Sequence, residues 1–231
     1  MASKIYYYIT IYKVMEKKIK QILVLSGILI LYVLVFVFYV LNPFTGPLED
    51  ISRILALFGL LSLILSSIMA AFTKEVFQIF GQPFKKIHHF IALFGLGLIV
   101  LHPVFLAISS GRADIFLPDF SSWIAFWRFA GRPAFYLIIL AVIAGFLQKR
   151  IRKWWRYIHS FNYIAVVFGV VHGILVGANL SSSIGLQIIF IALLVITTAT
   201  FAFKRYRDYI KKKRIKLKQE KKNEKEEEAI E

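Results

Sequence analysis

The sequence predicts an all-α integral membrane protein, a six-transmembrane-helix bundle with N- and C-termini both cytoplasmic. Three observations carry that expectation. Of the 231 residues, 58% are hydrophobic, and they fall in long uninterrupted runs that a soluble domain of this size does not carry. Six windows approach the ~20 residues needed to cross a hydrocarbon core. Finally, 25 of the 29 Lys and Arg residues sit in alternate connecting segments, the asymmetry that the positive-inside rule describes.

The elements follow in order. Residues 1–19 form a basic N-terminal segment. The first span, 20–41, is too long for the apolar core of a signal peptide and shows no small-residue cleavage site, so it reads as an uncleaved helix. Spans two and three, 54–72 and 88–109, flank a loop carrying Lys74, Lys85 and Lys86. The external loop 110–132 holds Arg112, Arg128 and Arg132 among aromatic residues. The fourth span, 133–147, is the shortest, and its start falls either there or within 123–129. Spans five and six are 157–178 and 184–203. Lipid offers backbone groups no partners, so each span must be helical.

Residues 204–231 form a charged cytoplasmic tail. The basic block Lys211–Lys218 runs into the acidic block Glu224–Glu231, as expected for a frayed, solvated helix whose basic half rests on anionic lipid headgroups. The formal charge of +16 is thus topological, and nucleic acid is not an expected partner. The 20–203 bundle is the one domain, in a multi-pass protein of the cell membrane.

Cysteine is absent. That excludes disulfides, iron–sulfur clusters, thiolate-ligated haem and covalent c-type haem attachment. No G-x-G-x-x-G follows a strand-like run, so flavin or nicotinamide chemistry would come from a partner.

The chemistry lies in five histidines. His88, His89 and His102 are in span three, and His159 and His172 in span five. Ionisable residues in membrane spans are costly and point to function, although His88, His89 and His159 individually also fit an interfacial role. Spans three and five run in the same direction, so equal offsets give equal depths. His88 to His102 is fourteen residues, about 21 Å of rise and about −40° of rotation, which puts both on one face. His89 lies about 140° from His102 and reads as an interfacial neighbour within reach of a haem propionate. His159 to His172 is thirteen residues, so span five needs a kink or another approach angle.

Pairing by depth joins His88 with His159 toward the cytoplasm and His102 with His172 toward the outside. Each pair suits the iron of one haem b, six-coordinate and made for electron exchange. Gly95, Gly169 and Gly173 fit either a close porphyrin or ordinary helix packing, and Phe94 and Phe168 fall between the two levels. Trp123, Phe126 and Trp127 suggest either a lid above the outer haem or an interfacial aromatic belt. Arg132, before Pro133 at a helix start, is the candidate propionate partner.

The run K-I-H-H-F-I-A-L-F-G-L-G-L-I-V-L-H resembles the third helix of the ferric reductase-like transmembrane domain family. R-K-W-W-R-Y-I-H-S-F-N-Y-I-A-V-V-F-G-V-V-H-G resembles its fifth. The family includes NADPH oxidase cores, ferric-chelate reductases and the haem-binding membrane subunit of the periplasmic methionine sulfoxide reductase system, which the G-R-P-A-F-Y opening of helix four also resembles. The resemblance covers roughly 50–200 and implies His88, His102, His159 and His172 as axial ligands of two haem b groups. The position after the first histidine, often basic in the family, is His89 here, which leaves the inner ligand open between His88 and His89. No flavin and nicotinamide domain follows, so electrons are expected from quinol or a separate redox partner protein, with quinone or flavin a further candidate cofactor on the inner side. The expected activity is transmembrane electron transfer as an oxidoreductase component. A histidine-based metal-ion or proton transporter without haem is the alternative, one that would more naturally carry acidic residues in the spans.

Overall fold

The computed structural model describes residues 2–228, which are all-helical with no strand among them. The helices are α1 (Ala2–Val40), α2 (Pro47–Met69), α3 (Thr73–Phe80), α4 (Phe84–Ser110), α5 (Trp123–Arg128), α6 (Gly131–Phe146), α7 (Trp155–His159), α8 (Phe161–Val176), α9 (Ala178–Ser182) and α10 (Ile184–Glu228). Among the described residues, six segments are long and apolar enough to span a membrane: Val14–Val40, Pro47–Met69, Phe84–Ser110, Gly131–Lys149, Trp155–Val176 and Ile184–Lys221.

Local chemistry sets the breaks. Pro47 opens α2 at a position where its missing N–H costs nothing, and Glu49 and Asp50 lie in the first turn, where the helix dipole favours negative charge. Asp50 is buried and accepts from the Thr45 and Gly46 amides at 3.1 and 3.2 Å. Gly81 (φ 66°) and Gly111 (φ 65°) end α3 and α4 in the left-handed conformation that stops helices. The Ser122 hydroxyl accepts from the Ala125 amide at 3.1 Å and starts α5. The fourth span therefore begins at Gly131, and 123–129 folds mostly into a separate short helix. The fifth span is interrupted at Ser160, between α7 and α8.

The compositional boundaries at 19/20 and 203/204 fall inside continuous helices. The tail, expected to fray, prolongs α10 as far as Glu228. Its base is fixed where Lys204 Nζ donates to the Ala70 carbonyl at 2.8 Å and Arg207 Nη2 to the Ala71 carbonyl at 2.9 Å. These cations meet the orphan carbonyls at the C-terminal end of α2, where the dipole attracts them.

Helix α2 is the central column. Leu57, Leu61 and Ile64 bury against Val35 of α1, Val166 and Val170 of α8, and Leu186 and Phe190 of α10. The remaining helices form two hairpins, α4 lying along α2 and α8 along α6, with only slight contact between α4 and α6. A cleft remains between α4 and α8. The α2–α4 contact depends on small residues: a Cβ at Gly95 would lie 2.7 Å from Ser62 Cβ and 3.1 Å from the Gly59 carbonyl, and one at Gly59 would lie 2.8 Å from Ile99. Between membrane helices close packing, not water exclusion, supplies the attraction. Gly95 therefore serves helix packing. Gly95→Ala should lower the thermal midpoint in detergent. Gly97→Ala, with nothing within 4 Å of its Cβ, should hold or raise it through helix propensity worth about 0.5–1 kcal/mol. Equal midpoints in the two variants would contradict this packing.

Candidate functional site

Four histidines line the cleft as two pairs. In the pair nearer the chain termini, His88 and His159 have ring centroids 6.2 Å apart, with planes at 74°. Two metal–imidazole bonds of about 2.0–2.1 Å plus two ring half-widths come to about 6 Å, so the rings stand as far apart as two ligands of one metal. His89 is exposed, about 100° round the helix from His88 with its ring 5.9 Å away, and does not join the pair. At the opposite end, His102 and His172 line one cavity of about 470 Å³, within the usual range of cofactor pockets, about 300–1,000 Å³.

Every one of the four rings is tied at Nδ1. His88 Nδ1 meets Ser66 Oγ at 2.9 Å. His102 Nδ1 lies 2.9 Å from both the carbonyl and the hydroxyl of Ser52, whose hydroxyl donates to the His102 carbonyl at 3.0 Å. His159 Nδ1 donates to the Ala141 carbonyl at 2.8 Å and His172 Nδ1 to the Arg128 carbonyl at 2.7 Å. A carbonyl can only accept, so Nδ1 carries the proton in His102, His159 and His172, and Nε2 keeps its lone pair. Metal-binding histidines are oriented in this way by a hydrogen bond from the other nitrogen.

The braces follow a register. On α2, Ser52 and Ser66 are fourteen residues apart, like His88 and His102 on antiparallel α4. On the α6 side, the Arg128 and Ala141 carbonyls are thirteen apart, like His159 and His172. Gly131 and Gly145 make room for the rings. A Cβ at Gly131 would lie 2.6 Å from His172 Cδ2, and one at Gly145 would lie 3.5 Å from His159 Nδ1. The interruption at Ser160 allows His159 to take its own approach angle despite the thirteen-residue gap.

The far cavity is apolar in its depth, where Leu57, Leu60, Ile138 and Ala165 line it, and charged at its rim, where Glu49, Arg53, Arg112 and Arg132 stand. Arg132 lies over the Phe129 ring at 4.4 Å and donates to the Leu117 carbonyl at 2.8 Å. Arg112 pairs with Asp114 at 2.6 Å, and that hydrogen bond holds the exposed Asp114 carboxyl below its ordinary range. Arg53 bonds Glu49 and Asp50, yet its buried Nε has no partner.

Gly169 and Gly173 line the cavity wall. Phe168 packs edge-on against Phe126 and Trp127, at 5.6 and 5.4 Å, and Phe94 is half exposed. Neither phenylalanine forms a stack between the pairs. The outer loop divides in two. Trp123 and Ile124 are exposed like an interfacial belt, whereas the end of α5 presents the Arg128 carbonyl to His172.

Among the described residues, no three or more His, Asp or Glu side chains gather as a metal site. A comparison of the chain with family models, curated proteins and solved structures returned no match.

Proposed function

We propose that this is a di-haem b transmembrane electron-transfer protein, related to the ferric reductase-like family that its third and fifth spans resemble. The observation that supports it best is the state of the four imidazoles: each is fixed at Nδ1, and the rings stand in two cross-cleft pairs. The far position has room for a porphyrin, whereas the gap of about 40 Å³ between His88 and His159 would have to widen to admit one. The ring spacing of the His88–His159 pair matches a shared iron, and the far cavity pairs an apolar depth with a cationic rim suited to propionates.

His88 and His159 would hold one haem, His102 and His172 the other. Each haem, when bound, would supply a one-electron iron couple. The Ser52, Ala141 and Arg128 carbonyls keep His102, His159 and His172 in the binding tautomer, and Ser66 Oγ orients the His88 ring. Arg132 and Arg53 supply charge at the rim, and the apolar depth excludes water from the far site. The basic loops support a cytoplasmic location for the termini and the His88–His159 pair; electrons would then enter there, from quinol or a separate reductase, and leave at the external face. An acceptor would reach the far pair near the Arg-lined rim.

A reduced-minus-oxidised spectrum of purified protein, with haem extracted and counted, tests the reading. Two b-type haems per chain are expected. A folded, monodisperse protein expressed with ample haem that carries none would overturn it.

A further inference from the structure

The far cavity has a cover that is fastened on one side only. Gly111 closes α4 in the left-handed conformation (φ 65°). The chain then crosses the cavity mouth as residues 112–117, with a single 3-10 turn at Asp114–Phe116. Arg112, Ile115 and Phe116 line the cavity; Ile115 and Phe116 are half-buried, while Asp114 and Leu117 to either side are exposed. Helix α6 holds this segment at three points. Tyr136 Oη donates to the Phe116 carbonyl and Arg132 Nη1 to the Leu117 carbonyl, each at 2.8 Å, and the Phe135 ring meets the Phe116 ring at 6.2 Å. Arg132 and Tyr136 are four residues apart, so they share one face of α6, and they take two consecutive carbonyls. The opposite side has no such fastening. Arg112 is spent on Asp114 within the segment, and Arg53, across the mouth on α2, is spent on Pro43, Glu49 and Asp50. Among the described residues no hydrogen bond or ion pair joins 112–117 to α2, α8 or α9.

We propose that residues 112–117 form a flap over the far cavity, and that Tyr136 and Phe116 thereby set the size of molecule that reaches the His102–His172 pair. With the flap closed, Ile115 and Phe116 narrow the mouth above the apolar depth. Opening needs only the α6 contacts to give way, because few buried contacts hold a segment that opens locally. The chain ends allow the swing. A Cβ at Gly111 would meet nothing within 4 Å, so that glycine is free to change its backbone angles, and Leu117 is already extended before Pro118 (φ −87°, ψ 125°). Removing one of the two hydrogen bonds should shift such an opening equilibrium about three- to tenfold. The consequence for electron transfer rests on the haem reading, whereas the flap does not.

The chain contains no cysteine, so one thiol placed under the flap reports on it. Ala56→Cys puts that thiol on the cavity wall. In detergent-solubilised apoprotein, a small methanethiosulfonate should label it quickly and a maleimide carrying a bulky dye slowly. Tyr136→Phe removes one hydroxyl and should speed the bulky reagent about three- to tenfold, the worth of one hydrogen bond, while leaving the small reagent unchanged. Phe116→Ala, which removes the cover but neither tether, should speed the bulky reagent as well. Bulky labelling unchanged in both variants, or acceleration of both reagents alike, overturns the flap. In haem-loaded protein reduced beforehand, ferric EDTA should oxidise the far haem about three- to tenfold faster in Tyr136→Phe, with both midpoint potentials unchanged. A rate equal to the wild type, or a shifted potential, overturns control of acceptor access. Wild-type protein without haem fails the functional reading but leaves the labelling experiment decisive.

Discussion

His102→Ala and His172→Ala should each yield a folded protein that has lost one b-type haem and kept the other. The expectation follows from how separately the two pairs are built. His102 depends on Ser52 and His172 on the Arg128 carbonyl. The other pair depends on Ser66 and the Ala141 carbonyl, thirteen or fourteen residues further along the chain. That is about 20 Å of helix, too far for loss of one imidazole to disturb the other pair through packing. Neither ring is part of the buried core around Leu61, Val166, Val170 and Phe190, so the bundle should survive. Extracted haem per chain should halve, and electron transfer across proteoliposomes to an enclosed acceptor should fall to the rate of empty vesicles. His89→Ala should leave both haems in place, because His89 is exposed and about 100° round the helix from His88. If His102→Ala removes both haems, or neither, the pairing by depth is wrong.

The apolar spans and the loop breaks were legible because lipid solvation and left-handed glycines act locally. The boundaries of 1–19 and 204–231 were not structural, because a helix can continue from an apolar stretch into a basic one without a break. Rotation about α4 sets His88 apart from His89, and in the structure the His88 ring faces His159 while His89 is exposed. Gly95 was not legible, since packing against Gly59 and packing against a cofactor leave the same small residue. The braces were missed for a different reason. Ser52 and Ser66 look like stray polar residues in an apolar helix, and a backbone carbonyl such as that of Ala141 has no sequence signature at all. A usable signal did exist: the fourteen-residue Ser52–Ser66 spacing repeats that of His88 and His102, as antiparallel neighbours in register should.

Gly131→Ala should uncouple stability from cofactor retention. Gly131 is the first residue of α6 and its φ is not positive, so an alanine there suits the backbone. The new methyl, however, would stand 2.6 Å from His172 Cδ2 and 2.9 Å from Nε2. Val166 and Val170 anchor α8 in the core, and the ring is held at Nδ1 by the Arg128 carbonyl at 2.7 Å. The least costly response is rotation of the imidazole, which carries Nε2 off the line to His102. Disturbing the support of a metal ligand typically weakens binding about 10–100-fold, so far-site haem should be lost on dilution or turn high-spin, while the thermal midpoint of the apoprotein holds. Gly145→Ala is the matched control, since its Cβ would lie at an ordinary 3.5 Å from His159 Nδ1, and near-site haem should remain low-spin. If Gly131→Ala binds two low-spin haems as tightly as the wild type, the close approach of α6 to His172 plays no part in holding the ligand.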